Sequence, residues 1–386
     1  MRAATRLIHA TGGRARHAVP LTTPIYETTT FVFDSAEEVR RYAEGRSEKY
    51  LYSRYANPTV EPVEDTLAAL EGAEAALLFS SGMAATTTAL LTLLSAGDEF
   101  ICSASVYGGT FHLAQDLLPR WGIRVRFAGL DEITDAARVA GDRTRVLWFE
   151  SPINPTSRCV PIREVAEGCR RAGVISVIDN TFASPINQQP ISLGVDLVMH
   201  SVTKYLNGHS DVTGGAIAGR SDLVHRIDRN RRLFGGVLDP YAAYALGRGM
   251  KTLPLRVSRH NSNALAVARF LNEDRRLARV YYPGLDSHPD HEVAKSQMSG
   301  FGGIVCLDVD GTYDRAAAVF DRLKVIKRAA SLGGVESLCS MPILTSHWGY
   351  SDEALARAGV TKGMLRLSIG LEDPEDLIAD LDQALG

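Results

Sequence analysis

A lysine set among hydroxyls stands just past a short apolar run: Leu197-Val198-Met199 leads through His200 into Ser201-Val202-Thr203-Lys204-Tyr205. A second apolar run, Val174 to Ile178, is closed by Asp179, 25 positions upstream of the lysine (204 − 179). A primary amine and a carboxylate at two strand ends meet the needs of pyridoxal 5′-phosphate (PLP). The amine forms a Schiff base with the cofactor aldehyde. The carboxylate keeps the pyridine nitrogen protonated, so that the ring accepts electrons.

Other residues suit the same chemistry, and each has a plainer reading when taken alone. Ser80-Ser81-Gly82-Met83 follows an apolar run and opens a helical one. Backbone N–H groups at such a start, with a glycine permitting close approach, suit a phosphate; by themselves they make an ordinary helix cap. Ser201 and Thr203 add hydroxyls that equally serve as turn or cap groups. Tyr107 precedes Gly108-Gly109 and presents a ring able to stack on a pyridine face or simply to pack. Glu150-Ser151-Pro152-Ile153-Asn154-Pro155 is a loop stiffened by two prolines that aims Asn154 toward the ring hydroxyl, or else a plain turn. Arg366 sits in the alternating strand Leu365-Arg366-Leu367-Ser368-Ile369. A buried guanidinium there needs an anion, met by an amino-acid carboxylate or by a structural salt bridge.

The elements that carry these residues alternate. Glu61 to Leu70, Gly82 to Leu94, Phe111 to Leu118 and Ile162 to Arg171 have helical spacing. Ala75 to Phe79, Glu99 to Cys102, Val125 to Phe127, Val146 to Phe149, Val174 to Ile178 and Leu197 to Met199 read as short buried strands. The pattern predicts an α/β fold with a mostly parallel sheet covered by helices, its chemistry at the carboxyl ends of the strands. An irregular arm occupies 1–58 and a cofactor domain 59–250. A smaller C-terminal α/β domain occupies 251–386, with Asn263 to Phe270 and Pro374 to Leu385 as helices and Gly303 to Leu307 as a strand.

The chain has 386 residues, 45% of them hydrophobic and 23% charged, with a net charge of −3. That balance favours neither nucleic acid nor an anionic membrane surface. No apolar run is long enough to span a bilayer, and Met1 to Arg6 lacks the apolar stretch of a secretory signal. The five cysteines include no CxxC pair, so reduced core thiols in a cytoplasm are expected, with neither disulfides nor a metal site. Arg226, Arg229, Arg231 and Arg232 read as a solvated helix face, and Gly12-Gly13 and Gly333-Gly334 as turns.

Taken in order along the chain, these motifs resemble the trans-sulfuration (Cys/Met metabolism) enzymes, a group of fold-type I PLP-dependent enzymes. The resemblance is carried by Tyr52-Ser53-Arg54 with Asn57-Pro58-Thr59, Ser80 to Ala84, Tyr107 to Thr110, Glu150-Ser151-Pro152 with Asn154-Pro155, Asp179-Asn180-Thr181, Ser201 to Tyr205, Ser331 to Gly334, and Arg366-Leu367-Ser368. It covers nearly the whole chain.

The resemblance implies that Lys204 bears the cofactor and carries protons, and that Asp179 pairs with the pyridine nitrogen. Gly82, Met83, Ser201 and Thr203 would hold the phosphate. Tyr52 and Arg54 would reach the phosphate of a neighbouring subunit, making the active unit a dimer within a homotetramer. Tyr107 would stack on the ring and assist the leaving group, and Asn154, Ser331 and Arg366 would bind the amino-acid substrate. The implied reactions are γ-elimination and γ-replacement on sulfur amino acids or acylated homoserine, of the cystathionine γ-synthase/γ-lyase type. O-acylhomoserine sulfhydrylase and methionine γ-lyase are alternatives, with cystathionine β-lyase and PLP aminotransferase more distant. Gly109 stands where typical methionine γ-lyases carry cysteine. Ala330 stands where enzymes acting on cystathionine at the γ-position often carry glutamate, and the segment around it lacks the bulky aromatic and tryptophan usual in β-lyases. Trp348 and Tyr350 depart from the commoner Thr-His-Ala pattern.

Overall fold

The computed structural model describes residues 20–386. The expected Gly12-Gly13 turn and the beginning of the arm lie outside them. Seven strands form the first sheet: β1 (Ala75–Phe79), β2 (Glu99–Ser103), β3 (Arg124–Ala128), β4 (Thr144–Glu150), β5 (Ile175–Asp179), β6 (Leu197–His200) and β7 (Gly215–Gly219). Their spatial order is β1-β7-β6-β5-β4-β2-β3. The pairs from β3 through β6 are parallel, and β7 runs antiparallel to both its neighbours. Two reversals through β7 bring β1 back into line with β6, so β1, β2, β4, β5 and β6 all end at one edge.

Parallel strands are covered on both faces, which is why they read as unbroken apolar runs. Alternate residues serve opposite layers. Phe100, Cys102 and Trp148 join one core with the helix Gly82–Leu93; Ile101, Leu147 and Phe149 join another with the helix Ile162–Ala172.

A second sheet is built from β8 (Arg279–Tyr281), β9 (Ile304–Asp308), β10 (Lys327–Arg328), β11 (Leu338–Ser340) and β12 (Met364–Ser368). Its order is β10-β11-β12-β9-β8, antiparallel except for β10 with β11. The helices Leu253–Asn272, Tyr313–Arg322 and Pro374–Leu385 cover it, with Val267, Val305, Leu307, Val319, Leu365 and Leu381 in one core. Arg256, in the first of these helices, donates to the carbonyls of Tyr205 (2.7 Å) and Gly249 (2.8 Å). That bond ties the helix to the segment that carries Lys204.

Several expectations needed revision. β7 was not foreseen, because Gly214-Gly215-Ala216-Ile217-Ala218-Gly219 lacks strand-forming bulk. The small residues are there for packing: a Cβ on Gly215 would stand 2.2 Å from the Ser81 carbonyl oxygen and 2.7 Å from the Gly82 Cα. The helix expected over Phe111 to Leu118 is in fact an α-turn (Gly108–His112), a π-turn (Leu113–Leu117) and a 3₁₀-turn (Leu118–Trp121). Pro119 denies that segment a regular ladder. The arm holds a helix, Ala36–Ala43, capped by the Ser35 hydroxyl.

Of the four clustered arginines, Arg226 and Arg229 are exposed, but Arg231 is buried. Arg231 pairs with Glu64 at 2.6 Å and Asp228 at 2.7 Å and donates to the Leu78 carbonyl. A helix face read as solvated therefore clamps β1 to its two flanking helices. All five cysteines are buried and unpaired. Among the described residues no helix is long and apolar enough to cross a membrane.

Candidate active site

A cavity of about 550 Å³ opens at the edge where the strands of the first sheet end, and β12 of the second sheet closes its far side. Lys204 lies in it, four residues past β6 (204 − 200), and donates from Nζ to the Ser331 hydroxyl at 2.9 Å. Burial, with the Arg366 cation adding to it, lowers this amine below its ordinary 10.5. A lysine so placed gives up its proton more readily than one in water. Ser331 itself holds a strained φ of +125°.

Asp179 ends β5 and also faces the cavity. Its Oδ1 accepts the Thr181 N–H at 2.9 Å. Burial raises its carboxyl, while the Thr181 bonds and the His200 and Lys204 charges pull the other way. A cation brought against it from the cavity would restore the ionised form.

The phosphate-like corner is built at the start of the helix Gly82–Leu93. Ser81 caps this helix by accepting the Ala84 N–H at 3.0 Å, and the N–H groups of Gly82 and Met83 have no partner within the helix. A Cβ on Gly82 would stand 3.1 Å from the Met199 Cε and 3.5 Å from the Ser201 Oγ, so bare backbone and the Ser201 hydroxyl face one corner. The Thr203 hydroxyl is engaged with Gly214, accepting its N–H at 2.9 Å and donating to its carbonyl at 3.2 Å. It therefore braces the loop before β7.

Arg366 is buried on β12, and the second sheet turns it toward the first. Its Nη1 donates to Asn154 Oδ1 at 3.0 Å and its Nη2 to the Ser331 carbonyl at 2.8 Å. Its Nε is buried with no partner, and it makes no ion pair among the described residues. The structural salt bridge weighed for it is thus not found there, and a buried guanidinium with an unpaired donor calls for an anion in the cavity. Tyr107 lines the same cavity with its ring half exposed.

The cavity thus gathers Gly82, Met83, Tyr107, Asn154, Asp179, Ser201, Thr203, Lys204, Ser331 and Arg366. Tyr52 and Arg54 do not join them. Arg54 lines a separate polar cavity of about 210 Å³, donates to the Arg232 carbonyl at 2.6 Å and lies over the rings of Tyr52 and Tyr55. Thr181, Thr213, Thr345 and Ser346 also line the main cavity and were not anticipated. Thr181 carried a usable signal, standing two residues after Asp179. The others lie in loops whose course no local pattern dictates. Glu150 was noted only as the start of the proline loop, yet it is buried in the cavity wall.

The donor set fits PLP: an amine of lowered basicity, a half-buried carboxyl on a neighbouring strand end, and bare helix-start N–H groups. A family model described as Cys/Met metabolism PLP-dependent enzyme matches residues 4–386. Cystathionine gamma-synthase 1, chloroplastic, of Arabidopsis thaliana is 42% identical over 97% of this chain, which spans 66% of that protein. An L-methionine gamma-lyase of Fusobacterium nucleatum subsp. polymorphum is 41% identical over 95% of this chain and 93% of its own length. The crystal structure of metB from Corynebacterium glutamicum superposes with a TM-score of 0.89 at 37% identity, covering 99% of this chain and 97% of that one. With its lysine, carboxyl and phosphate corner gathered in one cavity and its sequence matched from end to end, this chain belongs to the Cys/Met metabolism PLP-dependent enzymes, of the fold-type I class.

Proposed function

We propose that the protein catalyses γ-elimination or γ-replacement on a sulfur amino acid or an acylated homoserine, in the manner of cystathionine γ-synthase and γ-lyase. The observation that carries the reading is Arg366: buried, without an ion pair among the described residues, bonded to Asn154 and facing the same cavity as Lys204. That is the place for an α-carboxylate beside an amine able to move the Cα proton. Ala330, Thr345 and Ser346 add small side chains to the wall of the same cavity.

PLP, when bound, supplies a sink for the electrons left at the substrate Cα. Asp179 would hold its ring nitrogen, and Gly82, Met83, Ser201 and Thr203 its phosphate. Arg366 and Asn154 orient the substrate carboxylate. Lys204, its amine made less basic by burial, would move the Cα proton and then take the Cβ proton whose loss lets the γ-substituent depart, that substituent taking up a proton as it leaves. Tyr107 would stack against the ring and assist departure of the γ-substituent. Ser331 holds the lysine Nζ between transfers.

The active unit proposed is a dimer within a homotetramer, with Tyr52 and Arg54 serving the partner's phosphate corner. Two features favour it. Arg54 stands outside its own chain's cavity, and the arm exposes Leu21, Ile25, Tyr26 and Val32, apolar side chains that one chain leaves uncovered. The division proposed is an arm through residue 58, a cofactor domain of 59–250 and a C-terminal domain of 251–386, so that each sheet falls within one domain. Five buried, unpaired thiols suit a reducing, cytoplasmic setting.

Product analysis of the PLP-loaded protein tests the reaction. Cystathionine, methionine, cysteine, and an acylated homoserine with cysteine or sulfide would be supplied in turn. Release of 2-oxobutanoate, or replacement at Cγ when a thiol is present, is the expected result. Sulfide-dependent homocysteine formation alone would make it a sulfhydrylase. Pyruvate from cystathionine would overturn the γ-assignment.

A further inference from the structure

Glu150 has no role in the account above, and its position is costly. It ends β4 beside Asp179 in the register of β4 with β5, so two carboxyls stand side by side at the cavity edge. It is buried and makes no ion pair among the described residues. Burial and the Asp179 neighbour push its carboxyl well above the usual range. Placing a carboxyl there without a cation is unfavourable unless its hydrogen bonds matter. One such bond is on view: Glu150 Oε1 accepts the Tyr107 N–H at 2.5 Å. It joins the end of β4 to the loop that leaves β2, a link between residues 43 apart in sequence.

The ring of Tyr107 lies in space that absent side chains leave open. A Cβ on Gly109 would stand 2.6 Å from the Tyr107 Cε1 and 2.8 Å from the Met83 Sδ. A Cβ on Gly108 would stand 2.9 Å from the Ser346 carbonyl oxygen. The ring therefore lies folded over bare backbone, close to the start of the phosphate-corner helix, with its own main chain tethered from β4.

We propose that Glu150 is a positioning residue for Tyr107: its carboxyl pins the Tyr107 main chain at the cavity wall, and the bare backbone of Gly109 leaves room for the ring to lie against it. The proposal rests on the reading that Tyr107 works on the cofactor and substrate. The bond needs only an acceptor at this position. Glutamine therefore replaces Glu150 with little loss, whereas alanine takes away the partner of the Tyr107 N–H.

The test uses the PLP-loaded enzyme and the best substrate from product analysis. Glu150→Ala is expected to lower kcat on the order of tenfold, the cost of one lost hydrogen bond to a carboxyl. KM and cofactor content should change little, and the visible circular dichroism of the bound cofactor should alter as the ring moves. Glu150→Gln should restore both kcat and the dichroism to within about threefold of the parent, the bond being kept. In a Tyr107→Ala background, Glu150→Ala should add no further loss. Equal damage from Gln and Ala, or additive losses in the double variant, would overturn the role of Glu150 while leaving Tyr107 in place. Full activity in Tyr107→Ala would overturn the reading of Tyr107 and the proposal with it. Gly109→Ala gives a second route should Glu150→Ala fail to fold. It should reproduce the altered dichroism and the fall in kcat, and an unchanged spectrum and kcat would count against the proposal.

Discussion

At the scale of single residues, the site keeps polar donors that the chain itself does not satisfy. Arg366 shows this best: its two terminal nitrogens are satisfied within the chain, and its Nε is not. Arg366→Lys keeps a charge but loses the planar fork. It should raise KM for the amino-acid substrate by roughly one to two orders of magnitude with a smaller effect on kcat, the pattern of a lost charge-assisted bond. An unchanged KM in steady-state kinetics would remove Arg366 from carboxylate binding. The lowered basicity of Lys204 has a consequence for pH. Its amine is neutral, and so able to take a proton, from a lower pH than an ordinary lysine. Activity limited by that amine should therefore rise with pH and level off below the ordinary lysine value of 10.5. A pH–rate profile still climbing at that value would contradict the effect of burial.

Much of this was legible in the residues themselves. Lys204 and Asp179 declare themselves because a lysine and an aspartate terminate apolar runs, and Arg366 because it interrupts an alternating strand. Thr203 shows where reading stops. Its hydroxyl, proposed to help hold the phosphate, also accepts from and donates to the Gly214 backbone, a partner brought near only by β7. Glu150 was passed over because its neighbours across the sheet and at Tyr107 come from distant parts of the chain.

At the scale of elements, the edge of the first sheet does the positioning. β1, β5 and β6 end in the phosphate corner, Asp179 and the Lys204 segment. These strands were readable because both faces are buried and the apolar runs are continuous. β7 was not, because its value lies in what its glycines omit. Gly215→Ala places a Cβ 2.2 Å from the Ser81 carbonyl oxygen, so the helix start must move away from the sheet. The variant should weaken PLP binding at least about tenfold, since the shift acts on backbone donors to an anion. PLP titration followed by absorbance measures it, and an unaltered affinity would show that the corner tolerates displacement. The helix beginning at Leu253 makes the other essential tie, its Arg256 bonding the carbonyl of Tyr205 next to the lysine.

At the scale of the whole molecule, two sheets meet at one cavity. The first brings Lys204, Asp179 and the start of the helix Gly82–Leu93, and β12 of the second brings Arg366. The proposed service of Tyr52 and Arg54 to a partner's site gives a whole-molecule prediction. Lys204→Ala and Arg54→Ala chains, each of low activity alone, should regain a fraction of parental activity on co-refolding. A hybrid dimer then holds one site with both an intact lysine and an intact arginine. Failure to recover activity, with hybrids demonstrably formed, would place Arg54 in its own chain's service.

Stability against pH follows from buried histidines. Burial lowers His260 and His347 to about 4 from the ordinary 6.5. Between those values the unfolded chain binds protons that the fold does not, so their contribution is complete above about pH 6.5 and is lost as pH falls toward 4. His260→Gln should reduce the slope of unfolding free energy against pH in this window by up to about one proton. An unchanged slope in urea denaturation at pH 7 and pH 5 would contradict the burial effect.

The account stands on Lys204 as the residue that bears the cofactor. The most direct measurement is borohydride reduction of the PLP-loaded protein, which makes the lysine–cofactor link permanent, followed by peptide mapping by mass spectrometry. The account predicts one labelled peptide with the cofactor on Lys204, and none in Lys204→Ala. Label on another lysine, or none on Lys204 in protein that binds PLP and turns over substrate, would contradict it.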